Sequence, residues 1–82
     1  MKTPDDVKRE TTEYRDYTIA VTTERMRDGQ WAVVARAVHQ TPTANDVFPV
    51  PVPDRRFPSE HEARDFGIQV ARDWIDQNTP NL

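Results

Sequence analysis

The stretch that most constrains this chain is residues 57–75. Ala63, Phe66, Gly67, Val70, Ala71, Trp74 and Ile75 recur at the three- and four-residue spacing of an α-helix, with charged residues between them. Ser59 marks its start. Its hydroxyl can accept the N–H of Glu62, three residues on, while the Glu62 carboxylate reaches back to the N–H of Ser59, a capping box. An apolar stripe of that length must be buried against another layer, and only the segments upstream can supply it.

Those segments change to period two. Tyr17, Ile19 and Val21 alternate with Thr18, Ala20 and Thr22, which predicts a half-buried strand running to about Arg25. A second strand is predicted over residues 31–39. The turn between them decides which side chains share a face. A two-residue turn of Asp28 and Gly29 would set Val21 opposite Arg36. A three-residue loop of Arg27, Asp28 and Gly29, with Gly29 left-handed, sets Val21 opposite Ala35. The second register keeps one face apolar, aligning Thr23 with Val33, Ile19 with Ala37 and Arg25 with Trp31. A slip by one residue would reverse every assignment. Thr18, Ala20, Thr22, Val34 and Val38 then gather on the opposite face, together with Arg36. These five residues are the candidate partner-contact surface.

Residues 40–46 read as a loop or wide hairpin turn. In residues 47–53, prolines 49, 51 and 53 alternate with Phe48, Val50 and Val52, so the N–H groups missing from the prolines all lie on one side. That pattern excludes a central strand. It fits an edge strand whose apolar face meets the helix, with a polyproline II segment as the rival reading. At the far end, Asn78 is expected as a left-handed helix cap with Pro80 beyond it. Residues 1–13 offer only Met1 and Val7 as apolar side chains. They are expected as a mobile arm, with a short helix starting at Pro4 as the alternative. The expected fold is therefore α+β: a three-stranded antiparallel sheet with one C-terminal helix packed on one face, βββα. It forms a single domain over residues 14–78, with a tail at 79–82.

Tyr17, Thr18 and Ile19, then Asp28, Gly29, Gln30 and Trp31, then Phe57, Pro58, Ser59, Glu62, Ala63 and Gly67, and finally the run from Ala71 to Asp76 carry a resemblance. In these, residues 14–76 resemble small uncharacterised proteobacterial proteins of βββα architecture and unknown function. The resemblance implies the fold and carries no catalytic residue with it. The sheet and helix are also similar to part of a double-stranded-RNA-binding domain. That fold's leading helix and lysine-rich helix start are missing, and Glu60 and Glu62 stand where phosphate contacts would be needed.

Composition narrows the function classes. A chain of 82 residues supports one small core, and the absence of cysteine excludes disulfides and thiolate metal sites and fits a reducing, cytoplasmic setting. No apolar run reaches the length of a membrane span or signal peptide. The formal net charge of -3 argues against general affinity for nucleic acid. His39 and His61 are the two imidazoles, and neither has a third ligand at helical spacing, so no metal site is expected. Asp65, Asp73 and Asp76 read as solvated charges on the outer helix face. Two glycines cannot build a phosphate loop, and no nucleophile stands beside a His, so neither cofactor nor catalysis is expected. Arg55 and Arg56, just before the helix, are candidate anion contacts, set against the simpler reading that they balance Asp54, Glu60 and Glu62. Trp31 and Trp74 lie in register with the apolar face and are expected in the core. What remains is a non-enzymatic interaction module that binds a protein partner or forms a weak homodimer. A nucleic-acid-associated protein using Arg55, Arg56 and arginines of the sheet is the alternative.

Overall fold

A computed structural model describes residues 4–78. Strands β1 (Val7–Tyr14), β2 (Tyr17–Arg25), β3 (Trp31–Gln40) and β4 (Asn45–Val50) form one antiparallel sheet in sequence order, and helix α1 (Glu60–Asn78) packs on one face. The fold is α+β, as expected, but the sheet has four strands where three were expected. The additional strand comes from the segment expected as a mobile arm. Pro4–Asp6 forms a short 3₁₀ turn, and residues 7–14 pair with β2 along their whole length, from Val7↔Glu24 to Tyr14↔Tyr17. Residues 1–3 of the expected 1–13 arm and the expected tail at 79–82 lie outside the described residues.

β1 needs little apolar surface because α1 lies across β2 and β3 rather than over it. Its ladder to β2 satisfies the backbone on one side, and charged side chains complete the attachment. Glu10 meets Arg64 of α1 at 3.1 Å, the Tyr14 hydroxyl donates to Asp76 at 2.8 and 3.0 Å, and Asp6 pairs with Arg25 at 3.1 Å. The turn from β1 to β2 has two residues, with Arg15 at a φ of 56°. A left-handed arginine is unfavourable. Its Nε–Asp76 ion pair of 3.0 Å ties that turn to the end of α1.

The β2–β3 register is the one the three-residue loop requires. Val21 faces Ala35, Thr23 faces Val33, Ile19 faces Ala37 and Arg25 faces Trp31. Gly29 has a φ of 84°, and its N–H donates to the Met26 carbonyl at 3.0 Å, while the Met26 N–H donates to Gln30 at 2.7 Å to close the hairpin. Asp28 accepts the Gln30 N–H at 3.0 Å and stiffens the loop.

β4 resolves the choice left open for residues 47–53. The segment pairs with β3 through Val50, and residues 51–53 leave the sheet. Pro49 faces Arg36 where no N–H is needed, between the pairs Phe48↔Ala37 and Val50↔Ala35. Thr41 bridges the preceding turn, accepting the Ala44 N–H at 3.0 Å and donating to its carbonyl at 2.9 Å. Phe57, which opens the 57–75 stretch two residues ahead of the Ser59 cap, exchanges two backbone hydrogen bonds with Trp31 at 2.8 and 3.0 Å. Pro58 keeps it out of the helix, because the residue before a proline is pushed out of the helical region.

The helix therefore starts at Glu60, with Ser59 as its cap. The Ser59 oxygen accepts the Glu62 N–H at 3.2 Å, and its own hydroxyl donates to the Glu62 carboxylate at 3.2 Å, so side chain meets side chain where the box would use the backbone. Asn78, expected as a left-handed cap, stays helical and donates its amide to the Trp74 carbonyl at 2.7 Å. The buried line of α1 is Ala63, Gly67, Ala71 and Ile75, packed on Ile19, Val21, Val33, Ala35 and Ala37. Phe66, Val70 and Trp74 flank it half-buried, as does Trp31 on β3. Three of the four buried residues are small, so helix and sheet approach closely. A methyl group built on Gly67 would lie 2.6 Å from Cγ2 of Val33 and 3.3 Å from Cγ1 of Val21. Thr23 is the one buried polar side chain among the described residues, and its hydroxyl donates to Glu60 at 2.9 Å.

Candidate functional site

Side chains alternate across a strand, so burying Ile19, Val21, Val33, Ala35 and Ala37 under α1 sends their neighbours to the other face of the sheet. The structure places Thr18, Ala20, Thr22, Val34 and Val38 together there, as the register requires. Val38 stands between Thr18 and Val47, Arg36 between Ala20 and Pro49, and Val34 beside Thr22. No element covers this face among the described residues. Val34 is 63% exposed and Val47 54%, the two most exposed large aliphatic side chains among the described residues. Arg36 is exposed in the middle of the patch, and β1 contributes Arg9, Thr11 and Glu13 along one margin.

Sequence reasoning missed Val47 and Pro49 on this face. The signal was available, because assigning Phe48 and Val50 inward sends Val47 and Pro49 outward. Phe48 itself is only partly inward. At the margin of the helix it remains 37% exposed, its ring 5.6 Å from Trp74 and 6.5 Å from Tyr17. Tyr17 in turn stands 4.9 Å from the His39 ring.

Arg55 and Arg56 are not part of the outer face. The Arg55 guanidinium lies over Phe66 at 5.0 Å and Phe57 at 5.5 Å, a cation–π arrangement. Arg56 pairs with Asp54 at 2.6 Å and lines an open recess of about 410 Å³ with Met26, Arg27 and Asp28. Glu60 and Glu62 are engaged by Thr23, Arg64 and Ser59.

The two histidines are far apart in role. His61 donates to Asp65 at 3.0 Å and accepts from Arg64 at 2.6 Å, while His39 packs in the aromatic cluster. No group of three His, Asp or Glu side chains converges as a metal site among the described residues. Asp73 accepts from Gln69 at 3.0 Å, and Asp76 holds Tyr14 and Arg15. Hydrogen bonding to Tyr14, followed by the charge of Asp76, raises the pKa of Arg15 above its ordinary value. The polar side chains near α1 thus either tie it to β1 and the β1–β2 turn or link successive turns of the helix itself. No described helix is long and apolar enough to cross a membrane.

No curated protein and no solved structure matches this chain. A family model described as a domain of unknown function, DUF6566, does match over residues 7–81, beginning at the first residue of β1 and extending past α1, and the chain belongs to that family.

Proposed function

We propose that this domain is a small bacterial, cytoplasmic interaction module without catalytic activity, and that it receives a protein partner on the outer face of its sheet. The observation that carries the reading is the coverage of the sheet by α1 on one side only, with Val34 and Val47 left more than half exposed on the other. Antiparallel sheets commonly leave one face to water, but such faces are usually polar, and the centre of this one is threonine, alanine and valine around Arg36, with the charges of Arg9, Glu13 and Glu24 at its margin. The fitting partner presents an apolar surface with a carboxylate for Arg36, since burying that guanidinium unpaired would be costly. The absence of catalysis is supported by the engagement of Glu10, Glu60, Asp76 and His61 in links between elements or turns. Cysteine-free composition supports the reducing compartment.

Val34→Lys tests the reading. Its outward position leaves the melting temperature within a few degrees of the parent, while the added charge removes whatever protein the parent captures from nuclease-treated lysate. Capture that survives Val34→Lys, or that disappears with nuclease or falls steeply with salt, would reject the outer face in favour of phosphate-driven binding.

A further inference from the structure

The two edges of the sheet differ in their free backbone groups. Tyr14 and Tyr17 flank a two-residue turn, which makes them a hydrogen-bonded pair, and bonding then alternates along β1. Lys8, Glu10, Thr12 and Tyr14 direct their N–H and C=O groups toward β2. Val7, Arg9, Thr11 and Glu13 direct theirs away from the sheet. β4 forms the opposite edge with Pro49 in it and Pro51 and Pro53 directly after, so donors are missing where another strand would need them. β1 has no proline.

We infer that β1 is a homotypic docking edge, through which two copies of this chain pair antiparallel about a twofold axis at Thr11. The two sheets become one continuous sheet of eight strands. Charge selects both the occupant and the register. With Thr11 opposite Thr11, Arg9 of each copy stands opposite Glu13 of the other, Glu10 opposite Thr12 and Lys8 opposite Tyr14. The facing Arg9, Thr11 and Glu13 are residues whose backbone groups point outward, so this register also joins free donors to free acceptors. Arg9 and Glu13 are both exposed on the outer face, and neither has an ion pair among the described residues. Moving the axis to Glu10 sets Glu10 against itself, and moving it to Arg9 sets Arg9 against itself. Moving it to Thr12 sets Arg9 against Arg15. Charged side chains on an edge strand ordinarily repel other strands, and here they reject strands of unmatched sequence while matching their own copy.

The pairing leaves the outer face open, so it stands or falls separately from the partner site there. Sedimentation equilibrium of the full chain tests it, with amide exchange as a second readout. The expected parent is a reversible dimer in which protection of the Arg9, Thr11 and Glu13 amides rises with protein concentration. Arg9→Glu and Glu13→Arg each weaken the dimer by about tenfold or more, and the double reversal R9E/E13R restores it to within about threefold, because the opposed signs are simply exchanged. Val34→Lys leaves the dimer unchanged. Thr11→Pro, which removes a central outward N–H and no bond to β2, gives a monomer with the parent's circular dichroism; if it unfolds instead, the charge reversals decide. A parent that stays monomeric up to about 1 mM overturns the proposal. So does a dimer that the double reversal does not rescue, or edge amides that become protected only when a different protein is added.

Discussion

Val21 and Val33, on the two strands beneath α1, leave a helix glycine no room for a methyl group, whereas Glu10, one strand away on β1, is half-exposed and reaches α1 through an ion pair of 3.1 Å. Both regions belong to one hydrogen-bonded sheet. The centre is held by close apolar packing, which tolerates no added volume and is indifferent to salt. The edge is held by its ladder to β2 and by charged and hydroxyl tethers, which tolerate volume and respond to salt. Membership of a sheet is therefore a matter of backbone pairing, while the side-chain pattern reports only what lies over each strand.

The largest effect expected from this contrast is at Gly67. Replacement by Leu overpacks the crossing and should lower stability by about 3 kcal/mol, read as a lower denaturant midpoint. Gly67→Ala is the sharper variant. Alanine is favoured over glycine by roughly 1 kcal/mol within a helix, yet its methyl would lie 2.6 Å from Cγ2 of Val33, so a net loss of about 1 kcal/mol is expected. An alanine variant as stable as the parent would mean that the centre yields, and the contrast with the edge would lose its basis.

The same contrast explains what could be read in advance. Where a strand lies under the helix, burial imposes a pattern. The alternation at Ile19 and Val21 and the position of Gly29 specified the pairing of Val21 with Ala35, and prolines 49, 51 and 53 marked an edge. The outer-face residues followed from that register without further assumption. β1 left no such trace. Of its inward side chains Tyr14 alone packs against the core, at the end of the strand, while Lys8 is exposed and Glu10 meets the charge of Arg64, so the rest of the segment is as polar as a disordered arm. Arg15 and Asp16 between two tyrosines were the available hairpin signal, weakened because the turn puts an arginine, not asparagine or glycine, at positive φ. The tethers from Glu10 to Arg64 and from Tyr14 to Asp76 join residues far apart in sequence, and no local pattern announces them.

A smaller, local effect is expected at the edge from Tyr14→Phe. The ring and its stacking under Arg72 at 5.5 Å are kept, and the hydroxyl that donates to Asp76 and interacts with Arg15 is lost. A charge-assisted bond of this kind is worth about 1 kcal/mol at a partly exposed site. Amide exchange should place that loss in β1, with Thr12 and Tyr14 exchanging about fivefold faster while Ala20 and Thr22, which bond to β3, are unchanged. Equal acceleration in both strands would show that β1 opens only with the whole domain, so that edge and centre form one cooperative unit.

The smallest effect is expected from Glu10→Gln. The Glu10 side chain is 51% exposed and Arg64 26%, so the pair is largely solvent-screened and its loss should cost no more than about 0.5 kcal/mol. Arg64 stays anchored, since Glu60 accepts from it at 3.5 Å and His61 at 2.6 Å. The diagnostic is salt. At low ionic strength the parent should protect its β1 amides slightly better than the glutamine variant. The difference should vanish near 1 M salt, where the screening length of about 3 Å is no longer than the ion pair itself. Gly67 variants should keep their full deficit under the same conditions, because an overlap with Val33 is not screened. A Glu10→Gln deficit that persisted at high salt would assign the edge to packing after all. A deficit that fades with salt while that of Gly67→Ala does not would separate the two regions by mechanism, using one solvent variable on one folded protein.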